Sequence, residues 1–351
     1  MRYLTLTERL VKGATPRARW SIFPIFLILL AFLFTACGTG GNATTTKSKF
    51  GGQLNVGLNT DAVTLDPVIS SALVDRQVML NIYDTLVRVD AQNNVQPDLA
   101  TSWQYTTPTE LVFTLRTDVK FTDGTPFDAN AVVSNINRIL TTPTSPRLSE
   151  ISTVKDVVAV DSSHARFDLK KAFAPLLAAL TDRAGMMLSP AVVQSLGKGL
   201  ANAPVNAGSG PFMFKEWVKG DHLTILRNPH YWQKDAQGSA LPYLNSVTYH
   251  GITDGTVEFD NLQTGAIDVA DTVDPNHVAQ AKTNSNLVYR QIAGLSFYGI
   301  QLNTTVAPLN NVHVRRAIEW GVNRDEILNT VFKGVGVLAQ GPLSPGSWAY
   351  N

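Results

Sequence analysis

LATSWQYTTPTELVFTLRTDVKFTDGTPFDANAVVSNINRIL, residues 99–140, changes its apolar period partway along. Leu111, Phe113 and Leu115 recur every second residue, which predicts one buried face of a β-strand. Val119 and Phe121 continue the alternation, so residues 111–127 are expected to form a strand pair. Asp123-Gly124 supplies turn chemistry. Asp128 then precedes ANAVVSNINRIL, where a carboxylate can accept from the exposed amides of a new helix. Trp103 is expected to pack into the core beside that strand.

The same mixture extends outward. Toward the N-terminus, Leu54, Val56 and Leu58 alternate with polar residues as in a strand. TLDP then turns the chain, because Pro67 confines Asp66 to extended conformations. Leu73, Val74, Val78, Ile82 and Leu86 have helical spacing, with Ser70 or Ser71 as N-cap. Toward the C-terminus, residues 154–169 read as two strands around a Ser-rich turn, and APLLAAL and AVVQSLGKGL as short helices. GSGPFMFKEWVKGDHLTILRNPHYW, from Gly208, returns to sheet. EFDNLQTGAIDVAD reads as a helix, a Gly265 stop and a buried strand, and LSFYGIQLN as a further strand. VRRAIEWGV and NRDEILNTVF are consecutive helices, with Asn323 and Glu326 in a variant capping box. Strands and helices alternate throughout, so the class is α/β or mixed α+β.

The chain has 351 residues, of which 44% are hydrophobic, and one cysteine, Cys37. Arg2, Arg9, Lys12, Arg17 and Arg19 face a single acid, Glu8, ahead of the uncharged run SIFPIFLILLAFLFTA, residues 21–36. A basic segment, an apolar core and a small-residue exit make a secretory signal. The run is shorter than the ~20 residues of a comfortable membrane span. Thr35 and Ala36 before Cys37 resemble a bacterial lipobox, with Phe34 in the place usually held by Leu. That resemblance implies cleavage before Cys37 and lipidation of its thiol, placing the exported chain on the outer face of the cytoplasmic membrane.

Without residues 1–36, Lys plus Arg falls from 29 to 24 and Asp plus Glu from 28 to 27, so the net charge is −3. Such a balance gives no nucleic-acid footprint. No cysteine remains for a disulfide, so the exported part must rely on its core. Residues 37–50 are mostly small and polar and are expected to be a flexible tether.

Catalytic signatures are missing. His164, His222, His230, His250, His277 and His313 are scattered, with no HExxH and no metal-ligand spacing. There is no GxSxG, and the sole cysteine belongs to the signal. Asp254, Asp260 and Asp268 offer a carboxylate pair only in principle. Gly208-Ser209-Gly210-Pro211 is a backbone corner, without the Lys-Ser/Thr of a phosphate loop. The reading is of a non-enzyme with no cofactor, no metal and no nucleic acid.

Residues 99–140 resemble the signature of the family 5 extracellular solute-binding proteins, which serve peptide/nickel-type ABC importers. GSGPFMFKEWVKGDHLTILRNPHYW, TGAIDVAD and VRRAIEWGVNRDEILNTVFKGVG are similar to three further family blocks in the right order. Asn130 stands where the family more often has an acid.

The resemblance implies a two-lobed periplasmic-binding-protein-like fold of type II with an extra subdomain. Residues 51–60 plus 206–293 would form lobe I, 61–205 an inserted subdomain, and 294–351 the start of lobe II, the chain being C-terminally truncated. It implies a monomer that closes its lobes on a peptide or similar small solute and delivers it to an ABC permease. A nutrient-sensing lipoprotein, or one for nickel chelates, haem, oligosaccharides or opines, stays open on the same fold. The residues implied at the cleft are Asn59, Thr60, Asp61, Ser70, Ser71, Ala72, Leu73, Tyr298, Trp348 and Tyr350.

Overall fold

The computed structural model describes residues 49–292, 294 and 297–341, so Cys37, Trp348 and Tyr350 lie outside the described residues. The fold is mixed α/β, built on two sheets. The first has five strands: β1 (Gln53–Leu58), β8 (Phe212–Val218), β9 (His222–Arg227), β10 (Ser246–Gly251) and β11 (Val269–Ala270). Their order is β11-β1-β10-β9-β8. β1 runs parallel to both neighbours, pairing Gln53 with Ser246 and Val56 with Val269. β9 and β8 continue antiparallel as a hairpin.

The quoted stretch lies in the second sheet. Its strands are β4 (Ala100–Thr107), β5 (Glu110–Leu115), β6 (Val154–Ala159) and β7 (His164–Leu169), in the order β4-β5-β7-β6. A small hairpin, β2 (Val87–Val89) with β3 (Val95–Pro97), stands separately. Leu111, Phe113 and Leu115 are buried, and Phe113 meets Phe167 edge-on at 5.2 Å. The helix Ala129–Leu140 covers this sheet with Val132, Ile136 and Ile139, and Asp128 caps it by accepting from the Ala131 amide at 3.0 Å.

Several local expectations are corrected. β5 pairs with β4 and β7; Val119 and Phe121 are buried, but their segment makes only the isolated bridge Lys120–Pro126. The helix after TLDP covers only Leu73–Met79, and its N-cap is Ala72 without a side-chain bond. Ser70, two residues before the cap position, instead donates to Asp75 at 2.9 Å, and both side chains are buried. The helix Gly255–Thr264 does stop at Gly265, but β11 is a two-residue edge strand with Val269 exposed, not a buried one. Residues 297–303 form no strand: no described strand lies beside them, and Phe297, Tyr298 and Ile300 are exposed. Farther on, Val312–Gly321 is helical, and Asn323 caps the next turn by accepting from the Glu326 amide at 3.0 Å.

Two apolar cores result. One lies between the four-stranded sheet and its helix, the other between the five-stranded sheet and Leu65, Val74, Val78, Met79, Ile82 and Tyr83. Gly208 permits the junction: a Cβ there would sit 2.0 Å from the Ile82 carbonyl oxygen, closer than any side chain allows. Asp66, from the TLDP turn, receives a two-pronged bond from the Arg138 guanidinium, with Nη1 to Oδ1 at 2.9 Å.

Candidate functional site

In open α/β sheets, crevices form beyond the carboxyl ends of parallel strands. Here β1, β10 and β11 end together, and the segment after β1, residues 59–73, lies at that edge. Asp61 holds its start. Its carboxylate accepts from Trp217 Nε1 at 3.1 Å, from the Gly220 amide at 2.8 Å and from the Ala62 amide at 2.8 Å. Gly251, the last residue of β10, allows the approach, because a Cβ would come within 2.6 Å of the Asp61 amide nitrogen. Asn59 and Thr60 are left exposed.

Asp75, fully buried, holds the end of the segment. It accepts from the amides of Val63 and Thr64 at 2.6 and 3.3 Å and from Ser70 Oγ at 2.9 Å. These neutral donors occupy its oxygens, while Val63, Ile69 and Leu73 project outward, Leu73 64% exposed. Ser71 is exposed and Ala72 half-buried. The edge therefore joins a fixed backbone to exposed apolar side chains.

Behind Ser70 and Ala72 stands an arginine group. Arg183 Nη1 donates to Ser70 Oγ at 3.3 Å and to the Ala72 carbonyl at 3.1 Å. Arg76 pairs with Asp182 at 2.9 Å, and buried Arg147 pairs with Glu150 at 2.7 Å. Burial lowers the Arg147 pKa and raises that of Glu150. Arg183 Nε lies 3.5 Å from Asp182 Oδ1, while the Nε of Arg147 is buried without a hydrogen-bond partner among the described residues. Sequence reasoning missed these arginines, which sit in segments with no motif and reach the edge only through folding.

Of the residues expected at a cleft, Asn59, Thr60, Asp61, Ser70, Ser71, Ala72 and Leu73 lie on the one segment after β1, with Asp61 against the end of β10 and Ser70 and Ala72 against Arg183. Asp61 and Ser70 are engaged in holding the backbone. Tyr298 is 88% exposed and lies 5.3 Å from the Phe332 ring; no described contact brings it to that edge. Among the described residues no group of three or more His, Cys, Asp or Glu is placed to hold a metal, and no helix is long and apolar enough to cross a membrane.

A mixed sheet with loops at the carboxyl edge of its parallel strands, and a second sheet formed by the chain between those strands, has the architecture of the periplasmic binding proteins. The chain belongs to the bacterial extracellular solute-binding proteins, family 5 Middle, whose family model matches residues 94–351.

Among curated relatives, it is 31% identical over 308 residues to the probable D,D-dipeptide-binding periplasmic protein DdpA of Escherichia coli (strain K12), covering 85% of this chain and 58% of that protein. It is 28% identical over 299 residues to the glutathione-binding protein GsiB of Escherichia coli O1:K1, covering 84% and 56%. A similar solved structure is the ABC transporter-associated periplasmic binding protein DppA from Helicobacter pylori in complex with the peptide STSA. It matches with a TM-score of 0.75 and 28% identity, over 86% of this chain and 62% of that one. The chain thus spans less than two thirds of the length of these relatives.

Proposed function

We propose that this chain is the solute-capturing part of an ABC importer and that its ligand is a peptide. The observation that carries the reading is the edge at residues 59–73, fixed by Asp61 and Asp75 and exposing Val63, Ile69 and Leu73. A rigid backbone beside apolar side chains suits ligands recognised through their own backbone. The Arg183 guanidinium, which reaches Ser70 Oγ and the Ala72 carbonyl, supports a carboxylate-bearing ligand there.

Lobe I comprises residues 51–60 and 206–293, with 61–205 as its inserted subdomain and 294–351 beginning the second lobe. The protein is an exported monomer tethered through lipidated Cys37, and it passes its solute to a permease after the lobes close. Closure requires a ligand that binds the closed state better than the open one, so it must touch both lobes. The protein carries out no chemistry on its solute.

The test is thermal unfolding of the purified chain with peptides of increasing length. A ligand at a hundred times its Kd stabilises by about 2.7 kcal/mol. Peptides should raise Tm, and Arg183→Gln should reduce that gain. Stabilisation by a nickel chelate, haem or an oligosaccharide, with none by peptides, would replace the peptide reading.

A further inference from the structure

A cavity of about 230 Å³ lies at the opposite end of the β8–β9 hairpin from Asp61, with Arg76 of the arginine group in its lining. Pro211, just before β8, and Tyr231 and Gln233, after β9, form one wall. Asp84, Thr85 and Asp98 are buried within it, while Leu80, Arg88 and Val89 are exposed at its mouth. β8 has seven residues at ~3.3 Å each, so this end lies roughly 20 Å from the hairpin tip that holds Asp61.

The charges inside are incomplete. Asp84 accepts from Ser209 Oγ at 2.9 Å, Trp232 Nε1 at 2.9 Å and Tyr231 Oη at 3.3 Å. Asp98 accepts from the amide and hydroxyl of Thr85, each at 3.2 Å. Neither carboxylate has a Lys, Arg or His within 4.0 Å among the described residues, and Arg88 has no acid within that distance. Arg76 is committed to Asp182, and Arg116 to Asp118 and the face of Trp232. Buried carboxylates without a cation are costly. The cavity thus presents buried acids, an unpaired guanidinium and two apolar side chains, and it is smaller than the ~300–1,000 Å³ of sites for larger ligands.

We propose that this cavity binds a free α-amino acid, its ammonium group at Asp98 and Asp84, its carboxylate on Arg88 and its side chain against Leu80 and Val89. A zwitterion supplies both missing counter-charges and leaves the net charge unchanged. Burial, and next the neighbouring charge of Asp84, push Asp98 up to about 7. The charge of Arg88 opposes the rise at Asp98. Burial also raises Asp84, against the hydrogen bonds from Trp232, Ser209 and Tyr231 and then the charge of Arg116, and it raises Tyr231 against the charge of Arg88. An arriving ammonium therefore displaces a proton from Asp98, and affinity falls as pH drops below about 7. The exposed residues of the peptide edge, Val63, Ile69 and Leu73, are not in its lining.

The experiment screens the full chain against the twenty common L-amino acids by thermal shift, then measures the best one by calorimetry. At least one should bind. Its amide, which lacks the carboxylate, and its N-acetyl derivative, which lacks the ammonium, should each bind at least tenfold more weakly. Asp98→Asn and Arg88→Gln should each weaken binding at least tenfold while leaving any peptide-induced stabilisation intact. Affinity should be several-fold weaker at pH 6 than at pH 7.5. Arg88 is exposed, so its variant reports even if Asp98→Asn folds poorly. No shift with any amino acid, or binding unchanged in Arg88→Gln, overturns the proposal.

Discussion

Trp217 donates its indole N–H to Asp61 over 3.1 Å, tying the loop after β1 to the hairpin at the far side of the same sheet. The bond spans β10 and fixes the start of the exposed edge. Asp61→Ala removes the acceptor for the Trp217, Gly220 and Ala62 N–H groups. The expected loss is about 2 kcal/mol, with weaker peptide-induced stabilisation. Urea unfolding followed by tryptophan fluorescence measures it, and Asp61→Asn should recover part. A loss under about 0.5 kcal/mol would show that other contacts hold the loop.

Gly208→Ala places a methyl group 2.0 Å from the Ile82 carbonyl oxygen. Backbone must shift on one side or the other, at about 3 kcal/mol or more. Gly199→Ala is the control, because open space surrounds that position. Equal Tm for the two variants would remove the close-packing argument.

Glu258 is 2% exposed, and its Oε1 has no hydrogen-bond partner among the described residues. Burial, and next the charge of Asp271, raise its pKa from 4.5 to about 7. The folded state therefore holds this proton where the unfolded chain has released it. The contribution of Glu258 is most favourable below pH 4.5, declines as pH rises, and is lost once pH passes about 7. Glu258→Gln cannot ionise, so its Tm should exceed that of the parent at pH 8 and approach it at pH 5. An equal difference at both values would contradict the shift.

Arg138 and Asp66 join the helix over the four-stranded sheet to the turn after β1. Arg138→Met leaves the buried Asp66 carboxylate without its cation, which costs about 3–5 kcal/mol. The double variant Asp66→Leu, Arg138→Met should regain much of that loss, measured by chemical denaturation. Failure to regain any would mean the pair sets a geometry that apolar packing cannot replace.

What could be read from the residues was local. Leu111, Phe113 and Leu115 show their burial by period, and Asp128 shows its cap by position, since both depend on near neighbours. Val119 and Phe121 share the period and the burial without the strand, because alternation reports a buried face and not a hydrogen-bonding partner. Asp75 and Asp84 lie in an apolar helical pattern and gave no sign of becoming buried acceptors. Their donors include Ser70 on the same segment, but also Ser209 and Trp232 far along the chain. Arg183 meets Ser70 and Ala72 for the same reason, through contacts that no short window contains.

The pairing of Gln53 with Ser246 also sets a timetable. β1 leaves the ribosome first among the strands, yet its neighbours β10 and β11 follow only after the whole four-stranded sheet. At ~5–20 residues per second, that interval is on the order of 10–40 s. During it, β1 has neither flank covered, while the later sheet already has its strands and helix in hand. The four-stranded sheet thus has its strands available first, and β1 must wait, unpaired, for the last strands of its own sheet.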